Sequence, residues 1–222
     1  MPEVQTSTLA EQTYRRLRDR IVRGDLVAGE KLMPVALGLA LSISPTPVKE
    51  ALLMLERDGL IQSSARRGAS VRRFTSRDIT DLYDARLMIE QRAISVGHVS
   101  GRLDTAALSR LADTVALYAR SGAKRSAADL RQALRHDHDL HAIIASLSGN
   151  ALLIDWHQRL LRQTQLVRAY SLRAYDAGRI ARADRDHTAI LKALRAGDPD
   201  AANRALEAHL SVSLATILAG HG

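Results

Sequence analysis

Apolar residues recur at helical spacing along most of this 222-residue chain. In the first third, the pattern predicts helices over residues 8–23 and about 34–41, and a third helix that begins on two prolines and ends at Gly59. The short segments 60–63 and 69–72, on either side of a basic glycine-containing turn, are predicted to be two strands. From about residue 76 only helical periods remain, and they predict six further helices. These lie near 76–98, 103–121, 126–148, 150–174, 179–196 and 199–219.

The change in pattern near residue 75 predicts two domains. Residues 1–75 have the element order of a winged helix-turn-helix, with three helices and a small two-stranded wing. Residues 76–222 are expected to form an all-α antiparallel bundle of six to seven helices. The fold class is therefore mainly α.

Charge and composition narrow the possible partners and compartments. The formal net charge of +8 favours a polyanionic partner, and the single Phe and single Trp argue against stacking platforms for single-stranded nucleic acid. No run approaches the roughly 18 apolar residues of a membrane span, and the N-terminus has no apolar signal core. The absence of cysteine excludes thiolate metal sites and disulfides. We expect a cytoplasmic protein that binds no membrane.

The start of the third helix carries the features of a DNA-recognition helix. Ser44 or Thr46 can act as its N-cap, since each precedes a proline suited to the first helical turn. Lys49, one turn further, can reach a phosphate or a guanine edge. Basic residues at the wing tip can add affinity through counterion release. The candidate DNA-binding residues are Ser44, Thr46, Pro47, Lys49, Arg66, Arg67 and Gly68. The alternative is an ordinary proline-started helix beside a solvated charge run.

Residues 8 to 73 resemble the N-terminal domain of the GntR family of bacterial regulators. The matching motifs are the turn at 24–32, the helix start at 44–52 and the Arg67-Gly68-Ala69 wing. The resemblance implies binding to double-stranded DNA. The family usually has arginines at the positions of Pro45 and Lys49, and the first of these contacts bases. The operator sequence of this chain should therefore differ from the family pattern.

Four polar residues interrupt apolar helix faces in the second half. Asp137 and His141 are four residues apart, so they project together from one helix. His187 and His209 lie at equal distances from the turn at 197–199, which brings them to one level of a helical hairpin. Three imidazoles and a carboxylate are suitable ligands for a divalent ion such as Zn, Ni, Mn or Fe. They would leave one or two coordination positions of the ion open to water or to an oxygen of a bound ligand.

Each of these residues also has a simpler interpretation. A histidine on an apolar face can be an ordinary core residue, and Asp137 can cap a helix or pair with Arg131 or Arg135. His136 and His138 flank Asp137 but lie about 100° to either side of it, so they are expected outside the cluster.

Residues 76 to 218 resemble the FCD ligand-binding domain of the FadR-like subfamily of GntR regulators. The matching stretches are 82–90, 137–141, 148–150, 186–191, 196–198 and 209–210. The resemblance implies that Asp137, His141, His187 and His209 bind a divalent metal, and that the carboxylate of an organic acid completes the coordination. Arg86 and Glu90, one turn apart, can face the same cavity and grip that carboxylate. The alternative for this pair is a surface or interhelix salt bridge.

These features predict a homodimeric transcriptional regulator that binds a palindromic operator. We expect it to be a repressor, which is the commoner case in such families. A small carboxylate effector is expected to change its affinity for DNA. Two alternatives stay open. A metal-dependent enzyme can use three histidines and an aspartate to activate water. A structural metal can stiffen the bundle without any effector. Because no further general base is placed beside the set, we do not expect an enzyme.

Overall fold

The computed structural model of the protein describes residues 7–64, 68–122, 126–170 and 177–221. The chain separates into two compact units, Met1–Thr75 and Ser76–Gly222. The described residues form nine helices and three short strands, which confirms the mainly α fold class. Within the described ranges, every helix is too short or too polar to cross a lipid bilayer.

The first unit contains three helices and a small antiparallel sheet. The elements are α1 (Leu9–Arg23), β1 (Lys31–Leu32), α2 (Pro34–Leu41), α3 (Pro45–Arg57), β2 (Ile61–Ser64) and β3 (Gly68–Val71). The two-stranded wing predicted from the sequence was incomplete, because Lys31 and Leu32 pair with β3 and the strand order is β1-β3-β2. A strand of two residues is too short to show an alternating pattern.

Capping and apolar spacing explain the helices of this unit. Thr8 and Glu11 form a reciprocal capping box at the start of α1. The helix ends at Gly24, whose φ of 80° is the left-handed conformation that glycine adopts without strain. Val48 and Leu55 of α3 are fully buried, as expected from their spacing.

The second unit consists of six described helices. They are α4 (Ser76–Val99), α5 (Thr105–Gly122), α6 (Ala127–Ser146), α7 (Ala151–Tyr170), α8 (Ala177–Arg195) and α9 (Pro199–Ala219). The predicted end of the fourth of these helices, at residue 174, lies outside the described residues.

Two features of this unit position the polar residues. The helices α8 and α9 form a hairpin, in which Gly197 adopts a φ of 68° and Asp198 caps α9 by accepting from the backbone N–H of Ala201 at 2.8 Å. The helix α6 packs against α4, α5 and α7, so its inward face is enclosed by neighbours.

Candidate metal centre

Asp137, His141, His187 and His209 meet inside the second unit, and all four side chains are buried. One ligand atom from each residue lies within 4.8 Å of the others. The Oδ1 atom of Asp137 is 3.4 Å from Nε2 of His187 and 3.8 Å from Nε2 of His209. Its Oδ2 atom is 3.9 Å from Nε2 of His141. The carboxylate is thus at the centre of three converging imidazole edges.

Local helix geometry explains this convergence. Asp137 and His141 lie one turn apart on α6, so both point to the same side. His187 and His209 face each other across the α8–α9 hairpin, with ring centroids 4.6 Å apart. The ring of His209 also stacks on that of His141 at 5.3 Å, and Tyr118 lies edge-on to His187 at 4.6 Å. These ring contacts fix the orientation of the imidazoles.

The donor atoms fit a divalent metal ion. The Nε2 atoms of His141, His187 and His209 are buried and make no hydrogen bond to a described residue. Burying three such nitrogens without partners is unfavourable, and a shared metal ion would satisfy all of them. Ligands held about 2.0–2.2 Å from a metal lie roughly 3.0–3.5 Å apart. The Asp137–imidazole separations of 3.4–3.9 Å lie within about half an ångström of this range, and the whole set lies within 4.8 Å, so side-chain movements of about an ångström would bring the four atoms around one ion.

A carboxylate behind His141 sets the direction of that ring. Glu90 of α4 accepts from Nδ1 of His141 at 2.6 Å, which leaves Nε2 of this imidazole facing Asp137. The other oxygen of Glu90 is 2.8 Å from Nε2 of His157 and accepts from Nε of Arg86 at 3.1 Å. All four of these side chains are fully buried. The centre therefore has an ordered outer layer of polar groups.

The pKa shifts of Asp137, His141 and His209 favour the protonation states that bind metal. Burial lowers the pKa of His141 to about 3, against the opposing effect of Glu90, and burial also lowers the pKa of His209. Burial by itself would raise the pKa of Asp137, but the positive charge of the Arg168 guanidinium and the neighbouring imidazoles of His187 and His141 hold it well below its usual range. At neutral pH the carboxylate is ionised, and His141 and His209 are neutral.

Arginines surround one side of the centre. The Nη1 atom of Arg168 contacts Oδ2 of Asp137, and its Nη2 atom donates to Oγ of Ser213 at 3.3 Å. A small cavity beside Asp137 and His209 is lined by Arg168, Arg179 and Arg182. Its volume is about 20 Å³, which is room for roughly one water molecule. Asp137 and Asp186 also line the cavity, so three arginines against two carboxylates give this side of the centre a net positive charge.

Sequence reasoning missed the contributions of α7. His157 and Arg168 belong to one buried row of this helix, together with Leu161 and Thr164. The spacing of four, three and four residues along this row is the signal that would have identified them. Asp137 pairs with Arg168 from this row, whereas the sequence offered Arg131 or Arg135 as its partner.

The predicted effector residues Arg86 and Glu90 lie behind His141 and do not line the small cavity. They form a salt bridge with each other, but it is fully buried and lies within α4, unlike the surface or interhelix salt bridge of the alternative interpretation. The two terminal nitrogens of Arg86 make no hydrogen bond to a described residue. These nitrogens can still donate to a carboxylate, so the effector role stays a prediction.

The predicted DNA-binding residues lie in the first unit. The helix α3 begins at Pro45 with Ser44 as N-cap, and the Ser44 side chain makes no capping hydrogen bond. Ser44, Thr46 and Lys49 are exposed, and Pro47 is partly buried. Gly68 begins β3 with a φ of 70°, and the predicted residues Arg66 and Arg67 lie outside the described residues.

Two family models match the chain, one in each unit. The model for bacterial regulatory proteins of the gntR family matches residues 9–71. The model for the FCD domain matches residues 81–212, which is more than half of the chain.

Individual proteins are also similar to this chain. The HTH-type transcriptional repressor NanR of Cronobacter sakazakii is 28% identical, over 94% of this chain and 85% of its own. The HTH-type transcriptional regulator YdhC of Bacillus subtilis is 32% identical, but that match spans only 38% of each chain. A Rhodococcus crystal structure described as a transcriptional regulator GntR is 27% identical, with a TM-score of 0.79 over 96% of this chain and 99% of that one.

Proposed function

Because the chain belongs to the gntR family of bacterial regulatory proteins and carries an FCD domain, we propose that this transcriptional regulator is a metal-dependent, acid-responsive repressor. In this proposal a homodimer binds a palindromic DNA operator in the cytoplasm. A small organic acid at the metal centre changes the affinity for the operator. Membership in a family of regulators also agrees with the expectation that the chain is not an enzyme.

The DNA-binding part of the proposal rests on α3. Ser44, Thr46 and Lys49 are exposed at the start of this helix, which is the end that contacts base edges in helix-turn-helix proteins. A lysine supplies a single point charge where an arginine would supply a bidentate fork, so Lys49 should favour phosphate contact over base readout. The net charge of +8 adds a favourable long-range attraction to DNA.

One observation carries the metal part of the proposal. Three buried imidazole Nε2 atoms face one ionised carboxylate and have no hydrogen-bond partner among the described residues. Asp137, His141, His187 and His209 would hold the ion, and Glu90 would keep the ring of His141 in place. A divalent metal at this position supplies a Lewis acid that attracts a carboxylate oxygen of the effector.

The arginines determine how an acid could enter. The cavity holds only about one water molecule, so an organic acid needs Arg168 to move away from Asp137. The guanidinium is then able to donate to the acid instead, with Arg179 and Arg182 nearby. Arg168 lies near the end of α7, so its movement would give the bound and free states different packing. An acid that binds one state more tightly shifts the equilibrium towards it.

The small cavity also favours a second candidate function, in which the metal is purely structural. A site that holds the ion and one water would stabilise the bundle without any effector. The two functions differ in one testable respect. If the metal is purely structural, no small acid should change the affinity of the protein for its operator.

Binding of the metal-loaded protein to its own upstream DNA tests the proposal. Fluorescence anisotropy would be recorded in a salt series, with and without a panel of small mono- and dicarboxylates. We expect salt-dependent binding that weakens with at least one acid. Lys49→Ala should weaken DNA binding and keep acid binding, and His187→Ala should do the reverse. Operator binding that no acid changes would contradict the effector role, and absence of DNA binding would contradict the proposal as a whole.

A further inference from the structure

The outward face of α3 combines apolar groups with charged ones. Four side chains on this face are exposed, namely Thr46, Lys49, Glu50 and Leu53, and Leu53 is 66% exposed. Because successive residues of a helix are rotated by about 100°, these four side chains lie within an arc of about 100°. Val48, on the opposite side, is fully buried in the core of the first unit. The exposed arc is therefore the surface of α3 that can enter the major groove of DNA.

The residue types on this helix limit how it can recognise bases. From Ser44 to Glu56 the sequence contains no arginine, asparagine or glutamine. Arginine makes the commonest bidentate contact with guanine, and asparagine or glutamine makes the corresponding contact with adenine. Lys49 places a single point charge on a phosphate or a guanine edge. Bidentate hydrogen bonding to purines is therefore largely missing from the groove-facing part of α3.

Two apolar groups remain on the face that can enter the groove. Thr46 presents a methyl group in the first turn of α3, and Leu53 presents a larger side chain two turns later, rotated from Thr46 by only about 20°. Thymine is the DNA base that displays an apolar group in the major groove, its C5 methyl. Contact between these groups would remove apolar surface from water on both molecules.

The carboxylate of Glu50 favours the same base pairs. Glu50 is exposed one turn before Leu53, and a carboxylate accepts hydrogen bonds without donating any. Guanine presents two acceptors, N7 and O6, in the major groove, so it is disfavoured opposite this side chain. The A·T and C·G pairs each present an amino donor, but only the A·T pair also presents a methyl group. Glu50 and the two apolar groups therefore agree in selecting A·T pairs.

We propose that α3 recognises thymine methyl groups in the operator through apolar contacts with Thr46 and Leu53. This inference rests on the DNA binding in the proposed function and adds the base that is recognised. Thr46 and Leu53 are about 10 Å apart along the helix axis, and successive base pairs are about 3.4 Å apart. The two contacted thymines should therefore lie within about three base-pair steps of each other in each half-site.

Replacement of thymine by deoxyuridine tests the contact directly, because deoxyuridine pairs in the same way and lacks only the C5 methyl group. The metal-loaded, full-length protein would first select its operator from a pool of random DNA sequences. Each thymine of that operator would then be replaced in turn, and the Kd measured by fluorescence anisotropy. Burial of one methyl group corresponds to about a fourfold change in Kd. We expect this increase at two positions of each half-site and an unchanged Kd at the other thymines.

Variants of the protein assign each position to one side chain. Thr46→Ser removes the methyl group and keeps the hydroxyl, so one of the two positions should become insensitive to deoxyuridine. Thr46→Val keeps a methyl group and removes the hydroxyl, so that position should stay sensitive. Leu53→Ala should make the other position insensitive. Val99→Ala truncates an exposed apolar side chain of the second unit, and this control should keep both sensitive positions.

The outcomes separate this inference from the proposed function. An operator in which no thymine is sensitive to deoxyuridine would overturn the inference and leave DNA binding intact. The same holds if Thr46→Ser and Leu53→Ala both keep the two sensitive positions. A protein that binds no DNA would contradict the proposed function as well. Circular dichroism identifies a variant that fails to fold, and in that case the scan with the unmodified protein still decides whether thymine methyl groups are recognised.

Discussion

Replacing His187 with alanine is expected to abolish the stabilisation of the protein by a divalent metal. At a free metal concentration of 100 times the Kd, binding stabilises the folded state by about 2.7 kcal/mol. For a unit of this size, 1 kcal/mol corresponds to a Tm change of about 2–4 °C, so the metal should raise the Tm by roughly 5–11 °C. If loss of the imidazole weakens binding about 100-fold, the same concentration gives only about 0.4 kcal/mol, or roughly 1 °C.

The structure also predicts a separate packing effect that must be removed from the comparison. The ring of His187 is fully buried between Tyr118 and His209, with ring centroids 4.6 Å from each. Its removal leaves a cavity, which should lower the stability of the metal-free protein by roughly 2–4 kcal/mol. The informative quantity is therefore the difference in Tm between the metal-loaded and chelated forms of the same variant.

Scanning calorimetry with chelator and with Zn, Ni, Mn or Fe(II), together with elemental analysis, measures this difference. His138→Ala is a matched control, because His138 lies on α6 beside Asp137 but outside the cluster, with its side chain 25% exposed. The control should retain the full metal-dependent shift. If the His187→Ala variant kept both its metal-dependent increase in Tm and its metal content, the assignment of His187 as a ligand would be wrong. If the unmodified protein showed no shift with any of these metals, the cluster would not be a metal site.

Three further predictions follow from the same structure. Glu90→Gln should weaken metal affinity by about 10–100-fold, measured by competition with a chromophoric chelator, because His141 loses the carboxylate that orients it. Lys49→Ala should reduce the slope of log K against log salt by about one in DNA titrations, because one phosphate contact is lost. The stability of the chelated protein should fall as the pH drops from about 6.5 towards 3, by up to about 1.4 kcal/mol per pH unit for His141, because its pKa of about 3 means that only the unfolded chain gains that proton. Thermal melts at pH 7, 6 and 5 should show this fall, and a His141→Asn variant should show a shallower one.

Most helix positions were accessible from the sequence because the signals are local. The capping residues, the prolines at helix starts and the glycines at helix ends each act within a few residues, so they mark helix boundaries directly. The strand β1 was missed for the opposite reason. Lys31 and Leu32 are extended only because β3 supplies their partners, and those lie almost 40 residues away.

The sequence alone determined that Asp137 and His141 share a face, and that His187 and His209 lie at one level of a hairpin, because helix and hairpin geometry fix such distances. Only the tertiary structure decided what surrounds them. The packing of α4 and α7 onto α6 brings Glu90 to His141 and Arg168 to Asp137, and it leaves a cavity of about 20 Å³. These contacts join residues 31 to 51 positions apart, so no local pattern encodes them. They depend on how the whole bundle buries its apolar surface.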